Sequence, residues 1–319
     1  MKHDLKITIF LVVLFFSSQV IGLFVFSKSM DVITYYNETT GRTETSISDK
    51  EVITGRPDTQ AGESFSFIMF SLLIGTALVF LIIKLHLMKV WKGWFFVAVA
   101  LTLAISFSVF INDIYALVLG IILAYFKIFK PNIFTHNISE VFMYSGIAIL
   151  LVPILGDPNT LVFGLIPENI FWMILLLIAI SIYDAIAVWK SKHMIKMAKA
   201  QAQNKMFAGI LIPYEKPKKT ATIKIPIPKG MKSKEVKSAI LGGGDIAFPM
   251  LFAGSVMRHL IVANNITPTT AFLRIQFIPI AVTIALFLLL SKGKKETFYP
   301  AMPFLSLGCL VGYGLILLF

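Results

Sequence analysis

Apolar residues along this chain neither recur at the spacing of an amphipathic helix nor alternate as in a half-buried strand. They come in long runs almost free of charge. Nine runs can be marked, at 7–26, 65–83, 93–111, 114–129, 141–155, 170–189, 239–260, 271–290 and 298–319. A hydrocarbon solvent imposes this pattern, because every backbone polar group must be bonded within its own helix and about 20 apolar residues are needed to cross. The pattern predicts an all-α polytopic membrane protein with nine transmembrane helices. The fourth and fifth runs are short for a bilayer. The first follows Lys2 and Lys6 as a signal peptide would, but its length and the lack of a small-residue cleavage site favour a retained span.

Composition agrees: 57% of the 319 residues are hydrophobic and 14% charged, against about a quarter charged in soluble domains. The net charge of +12 would fit a nucleic-acid partner, but its distribution excludes one. The cations lie between the apolar runs, and 13 of the 29 fall within 190–237. Basic flanks of this kind set topology and meet anionic lipid. With a cytoplasmic N-terminus, nine alternating spans leave only Lys28, Arg42, Lys50, Arg56, Arg258 and Arg274 outside. Lys127 counts among the inside flanks, and the C-terminus is extracytoplasmic. The expected location is the cell membrane.

The chain divides into a six-span part (1–189), a basic cytoplasmic connection (190–238) and a three-span part (239–319). The outer connection, 27–64, is rich in Thr, Ser and Gly and reads as a flexible or lightly structured loop. In the inner one, 190–206 reads as a basic surface helix. Residues 221–228 alternate Ile with Thr, Lys and Pro, which predicts an edge strand. The five histidines are scattered, Cys309 is alone, and no metal-ligand set or cofactor motif is present.

Two acidic residues lie well inside apolar runs, Asp184 in the sixth and Asp245 in the seventh. The others, Asp113, Glu140, Asp157 and Glu168 among them, are assigned to loops or span ends, and Arg258 and Arg274 to ends where they can snorkel. An Asp at mid-membrane costs roughly 2.5–3.5 kcal/mol, so two with no buried basic partner point to use. At 1.5 Å per residue they lie about 9 and about 12 Å from the cytoplasmic ends of consecutive antiparallel spans. They can therefore face each other. Ahead of the second stand Gly242, Gly243 and Gly244, each costing about 1 kcal/mol in a helix. They admit a close neighbour or leave backbone open to a substrate; plain helix packing is the alternative. Two adjacent carboxylates share a proton, so one can activate water while the other polarises a carbonyl. That is aspartic proteolysis, and it requires neither metal nor cofactor.

Tyr183-Asp184 in the sixth run, Gly242-Gly243-Gly244-Asp245 (GxGD) in the seventh and Pro300-Ala301-Met302-Pro303 at the start of the ninth resemble the three signatures of the presenilin and signal peptide peptidase family, in the family's order. The predicted topology is similar to presenilin, the surroundings of Asp245 look more like the peptidase branch, and the short connection resembles that of an archaeal presenilin homologue. The family's third motif is Pro-Ala-Leu; Met302 replaces the leucine with little change in volume. The resemblance implies cleavage of single-span helical substrates within the membrane by Asp184 and Asp245. Tyr183, Gly242, Gly243 and Gly244 would shape the site, with Pro300, Ala301 and Met302 beside the substrate. Residues 223–227 would pair with an unwound substrate by β-augmentation, or serve as a plain linker. The competing reading is a proton- or cation-coupled transporter or channel, since paired intramembrane carboxylates also mark ion pathways; no repeat symmetry accompanies them. Association into homo-oligomers is compatible with the sequence.

Overall fold

The computed structural model describes residues 5–38, 41–190, 207–213, 238–293 and 299–318. In chain order the elements are α1 (Leu5–Lys28), β1 (Met30–Asn37), β2 (Arg42–Asp49), α2 (Ala61–Lys84), α3 (Met88–Ser108), α4 (Asp113–Phe129), α5 (Ile133–Leu151), β3 (Leu161–Val162), β4 (Ile166–Pro167), α6 (Glu168–Ala185), β5 (Gly209–Pro213), β6 (Ser238–Gly242), α7 (Gly243–Asn264), α8 (Pro268–Ile275), α9 (Phe277–Lys292) and α10 (Met302–Leu318). A 3-10 turn, Pro153–Leu155, follows α5, and a π turn, Ile186–Lys190, extends α6. Among the described residues seven helices are long and apolar enough to cross a membrane: α1, α2, α3, α5 and α6 with their extensions, α7, and α8 with α9 as one rod. The other two, α4 and α10, have 17 residues each. The predicted all-α membrane class holds.

α7 lies at the centre, with α1, α5, α6, α9 and α10 around it. Lipid tails are as apolar as leucine, so close contact rather than water exclusion holds such helices together. Small residues provide that contact. A Cβ at Gly146 of α5 would collide with the Thr102 carbonyl of α3, and one at Gly312 of α10 would stand 2.6 Å from the Ile278 Cα of α9. By contrast, α2 is almost entirely unburied along its apolar length. It is fastened by Trp172 of α6, whose ring meets that of Phe65 at 5.3 Å and a 35° tilt, and by a hydrogen bond between the Thr76 and Tyr183 hydroxyls.

Four expectations change. Residues 30–49 of the outer connection form an antiparallel hairpin, Met30 opposite Asp49 through Asn37 opposite Arg42; the run Val32-Ile33-Thr34-Tyr35-Tyr36 suits a pleated ribbon. Arg258 does not snorkel: it is 6% exposed and pairs with Asp49 at the hairpin's end. α5 begins eight residues before its predicted start of 141, because Thr135, His136, Asn137, Ser139 and Glu140 are helical although polar. Residues 239–242 are strand rather than helix, pairing with β5 so that Ile210 faces Leu241 and Ile212 faces Ala239. Gly242, the last strand residue, keeps an extended backbone and caps α7, which starts at Gly243. The predicted surface helix beyond Lys190 and the predicted strand at 221–228 lie outside the described residues.

Replacing Gly146 with leucine should push α5 off α3 and cost about 1–3 kcal/mol. A Cβ added at Gly75 of α2 would have nothing within 4 Å, so Gly75→Leu should leave stability unchanged. Thermal unfolding in detergent of the two variants checks the contrast.

Candidate active site

The start of α10 is built around the third motif. Ala301 caps it, its carbonyl accepting from Phe304 and Leu305 at 3.1 and 3.0 Å. Pro303 sits in the first turn, where its missing N–H removes no helical bond. The first-turn N–H groups of a helix have no partner within it and carry the positive end of its dipole. Here the Met302 N–H donates to Asp184 Oδ2 at 3.1 Å, and the Ala301 backbone N–H also bonds this carboxylate. Asp184 is 5% exposed, at the end of α6 just before the π turn. Such wide turns are frequent at functional sites. Ser181, one turn earlier, meets Ser306 of α10 at 2.9 Å, and Tyr183 meets Thr76 of α2 at 2.9 Å. Pro300 and Met302 are buried.

Asp245 stands at a second helix start. Gly242 is the cap residue of α7, so Asp245 is third in its first turn, again at a positive dipole end. It is not deep within a helix, as the apolar run around it predicts. Its carboxylate folds back over Gly242, where a Cβ would lie 3.2 Å from Oδ2. The Gly243 N–H donates to the Ala208 carbonyl at 3.2 Å. Gly244 is exposed, and a Cβ there would make only ordinary contact with Phe248 at 3.5 Å; nothing inside the protein requires that glycine. Pro249, four residues on, offers no N–H to the Asp245 carbonyl, which loosens this first turn. α6, α7 and α10 pack on one another pairwise, and the Asp184–Met302 bond joins the first and third motifs.

A family model described as signal-peptide peptidase, presenilin aspartyl protease matches residues 42–319. The chain belongs to this family. It is an intramembrane aspartyl protease, and its substrates are transmembrane. No curated protein sequence matches it. Its fold is similar to two structures of a presenilin family intramembrane aspartate protease. The one in space group P2 gives 15% identity and a TM-score of 0.52 over 96% of each chain. The one in C222 gives 13% identity and 0.52 over 97% of this chain and 99% of that one.

The protease holds a second polar group that hydropathy alone does not reveal. Lys127, expected on a solvated flank, is 2% exposed, and Glu140, expected at a span end, is fully buried. They form an ion pair, and Glu140 also accepts from the Tyr144 hydroxyl. His136 lies 3.7 Å from Glu140 and meets the Gly209 carbonyl at 2.8 Å. Asn137 bonds both backbone groups of Leu211, at 3.0 and 3.1 Å. On α1, Gln19, 1% exposed, donates to the Ile246 carbonyl at 2.8 Å. The signal in the sequence is a four-residue spacing, His136, Glu140 and Tyr144, at the edge of an apolar run.

Met302→Pro deletes the N–H that Asp184 accepts, at a position where proline is tolerated, but it also removes a buried side chain; Met302→Ala removes the side chain and keeps the N–H. A hydrogen bond to a charged group contributes about 1.5–3 kcal/mol, so cleavage should be at least about tenfold slower in Met302→Pro than in Met302→Ala, while both melt below the parent. Rates on a transmembrane substrate and thermal unfolding check both parts.

Proposed function

We propose that Asp184 and Asp245 are the catalytic pair of this protease and that it crosses the cell membrane nine times, with the N-terminus cytoplasmic and the C-terminus outside. The observation that carries the pairing is that each carboxylate sits at the start of a helix, Asp184 against α10 and Asp245 in α7, on helices in mutual contact. The topology rests on the distribution of the cations. Residues 1–189 then supply the first aspartate, 239–319 the second with its glycines and the third motif, and 190–238 the connection between them.

In the reaction, the ionised carboxylate takes a proton from water as its oxygen attacks the scissile carbonyl, and the protonated carboxyl bonds the carbonyl oxygen. A tetrahedral diol results. Its collapse breaks the C–N bond while a carboxyl proton passes to the departing nitrogen, and the pair returns to its shared proton. The Ala301 and Met302 N–H groups hold Asp184, and exposed Gly244 leaves room for a substrate backbone beside Asp245.

A peptide bond inside an intact helix is shielded, so the substrate must be extended. The β5–β6 ribbon offers an edge for it. Both backbone groups of Leu211 turn to Asn137, so alternation turns those of Ile210 and Ile212 to β6 and leaves those of Ile240 and Gly242 facing outward. The outer side of β5 is thereby taken by α5. The outer side of β6, three residues from Asp245, has no backbone partner among the described residues and suits strand addition. Residues 223–227, for which the sequence suggests the same kind of pairing, lie outside the described residues.

Purified in detergent with a generic single-span substrate, the parent should cleave, and Asp184→Asn and Asp245→Asn should each abolish cleavage while remaining folded. Normal turnover in either removes that aspartate from the mechanism. Ile240→Pro removes an outward N–H and no bond to β5. It should slow cleavage about tenfold, the effect of losing one bond of about 1.4 kcal/mol, and an unchanged rate counts against strand addition.

A further inference from the structure

The mechanism makes no use of the buried polar group on α4 and α5, although it leads directly to the turn carrying Asp245. Lys127 neutralises Glu140, and Glu140 in turn fixes the Tyr144 hydroxyl. That hydroxyl would lie 2.6 Å from a Cβ at Gly243, with ring atoms Cε1 and Cζ at 3.3 Å. Tyr144 therefore fills the space a side chain at the open second position of the motif would occupy. Gly243 opens α7 two residues before Asp245, and Asp245 is near enough to Tyr144 to act on it electrostatically. A buried ion pair seldom adds net stability over an apolar packing of the same volume. What it does provide here is a fixed direction for one hydroxyl against a turn that Pro249 has loosened.

Resting on the catalytic role of Asp245 proposed above, we infer that Tyr144 is a positioning residue for Asp245, braced by the Lys127–Glu140 pair and acting through Gly243. Tyr144 packs against Gly243 in the turn that carries Asp245. The turn is clamped from three sides: Tyr144 at Gly243, the Ala208 carbonyl on the Gly243 N–H, and Gln19 on the Ile246 carbonyl. A small displacement of a reacting group from its productive place costs orders of magnitude in rate, so the clamp governs turnover more than substrate affinity.

The test is a double-variant cycle between Tyr144 and Gly243, reading kcat, KM and melting temperature on the folded full-length enzyme with a single-span substrate. Tyr144→Phe should lower kcat about tenfold with KM changed less than about twofold. Gly243→Ala should collide with the hydroxyl and lower kcat at least as far. The double variant, in which the new methyl takes the vacated space, should recover kcat above that of Gly243→Ala alone. A folded Tyr144→Phe enzyme with parental kcat overturns the inference, even where its melting temperature falls, since a merely structural tyrosine moves only the latter. A double variant no faster than the two single effects combined also overturns it. These outcomes in a cleaving parent leave the aspartate pair standing. A parent that cleaves nothing removes the pair and the inference with it.

Discussion

A helix that begins inside a bilayer leaves backbone N–H groups that neither its own turns nor water can satisfy. In this protein α7 and α10 pack on each other, and each begins beside an aspartate carboxylate. α10 starts beside α6 and gives its first N–H groups to Asp184; α7 starts behind a glycine cap with Asp245 in its first turn. The unmet donors and the positive dipole ends offset part of the cost of holding aspartates at that depth. Donor and acceptor would each be unfavourable there alone. The motif residues follow from this arrangement: proline where a helix starts without loss, glycine where a carboxylate folds back on its own backbone.

The surroundings of the two starts are unequal. One side of the α7 turn is closed by side chains that reach between helices: Gln19 from α1, Tyr144 from α5 with its ion pair behind it, and Asn137 and His136 on the outer edge of β5. The other side has exposed Gly244 and an edge of β6 that no other described strand pairs with. Rigid support on one face and exposed backbone on the other suit the roles proposed for Asp245 and β6. α2 is little buried and is tied to α6 by Tyr183–Thr76 and Trp172–Phe65.

Lys127 and Glu140 show how far a hydropathy pattern reaches. Each sits at the border of an apolar run, where a charge ordinarily meets headgroups or water. Packing brings α4 against α5 so that the two neutralise each other, and the polar residues before Glu140 find partners on β5. Their helical spacing is present in the sequence, but the strand they serve is not. β5 and β6 are separated by the connection after residue 213, and each is too short to be recognised without the other. The same holds for the hairpin of β1 and β2, whose end is secured by Arg258 on a helix 209 residues away.

The sequence by itself determined the class of protein, the positions of most helices and the three motifs, because a hydrocarbon solvent tolerates few patterns and a buried aspartate is too costly to be incidental. Tertiary structure alone decided where those helices begin. That decision turned Asp245 from a mid-helix residue into a first-turn one, gave Met302 a partner, and brought Lys127 and Glu140 inside. Helix starts are set by which neighbour satisfies the leading backbone groups, and those neighbours come from distant parts of the chain.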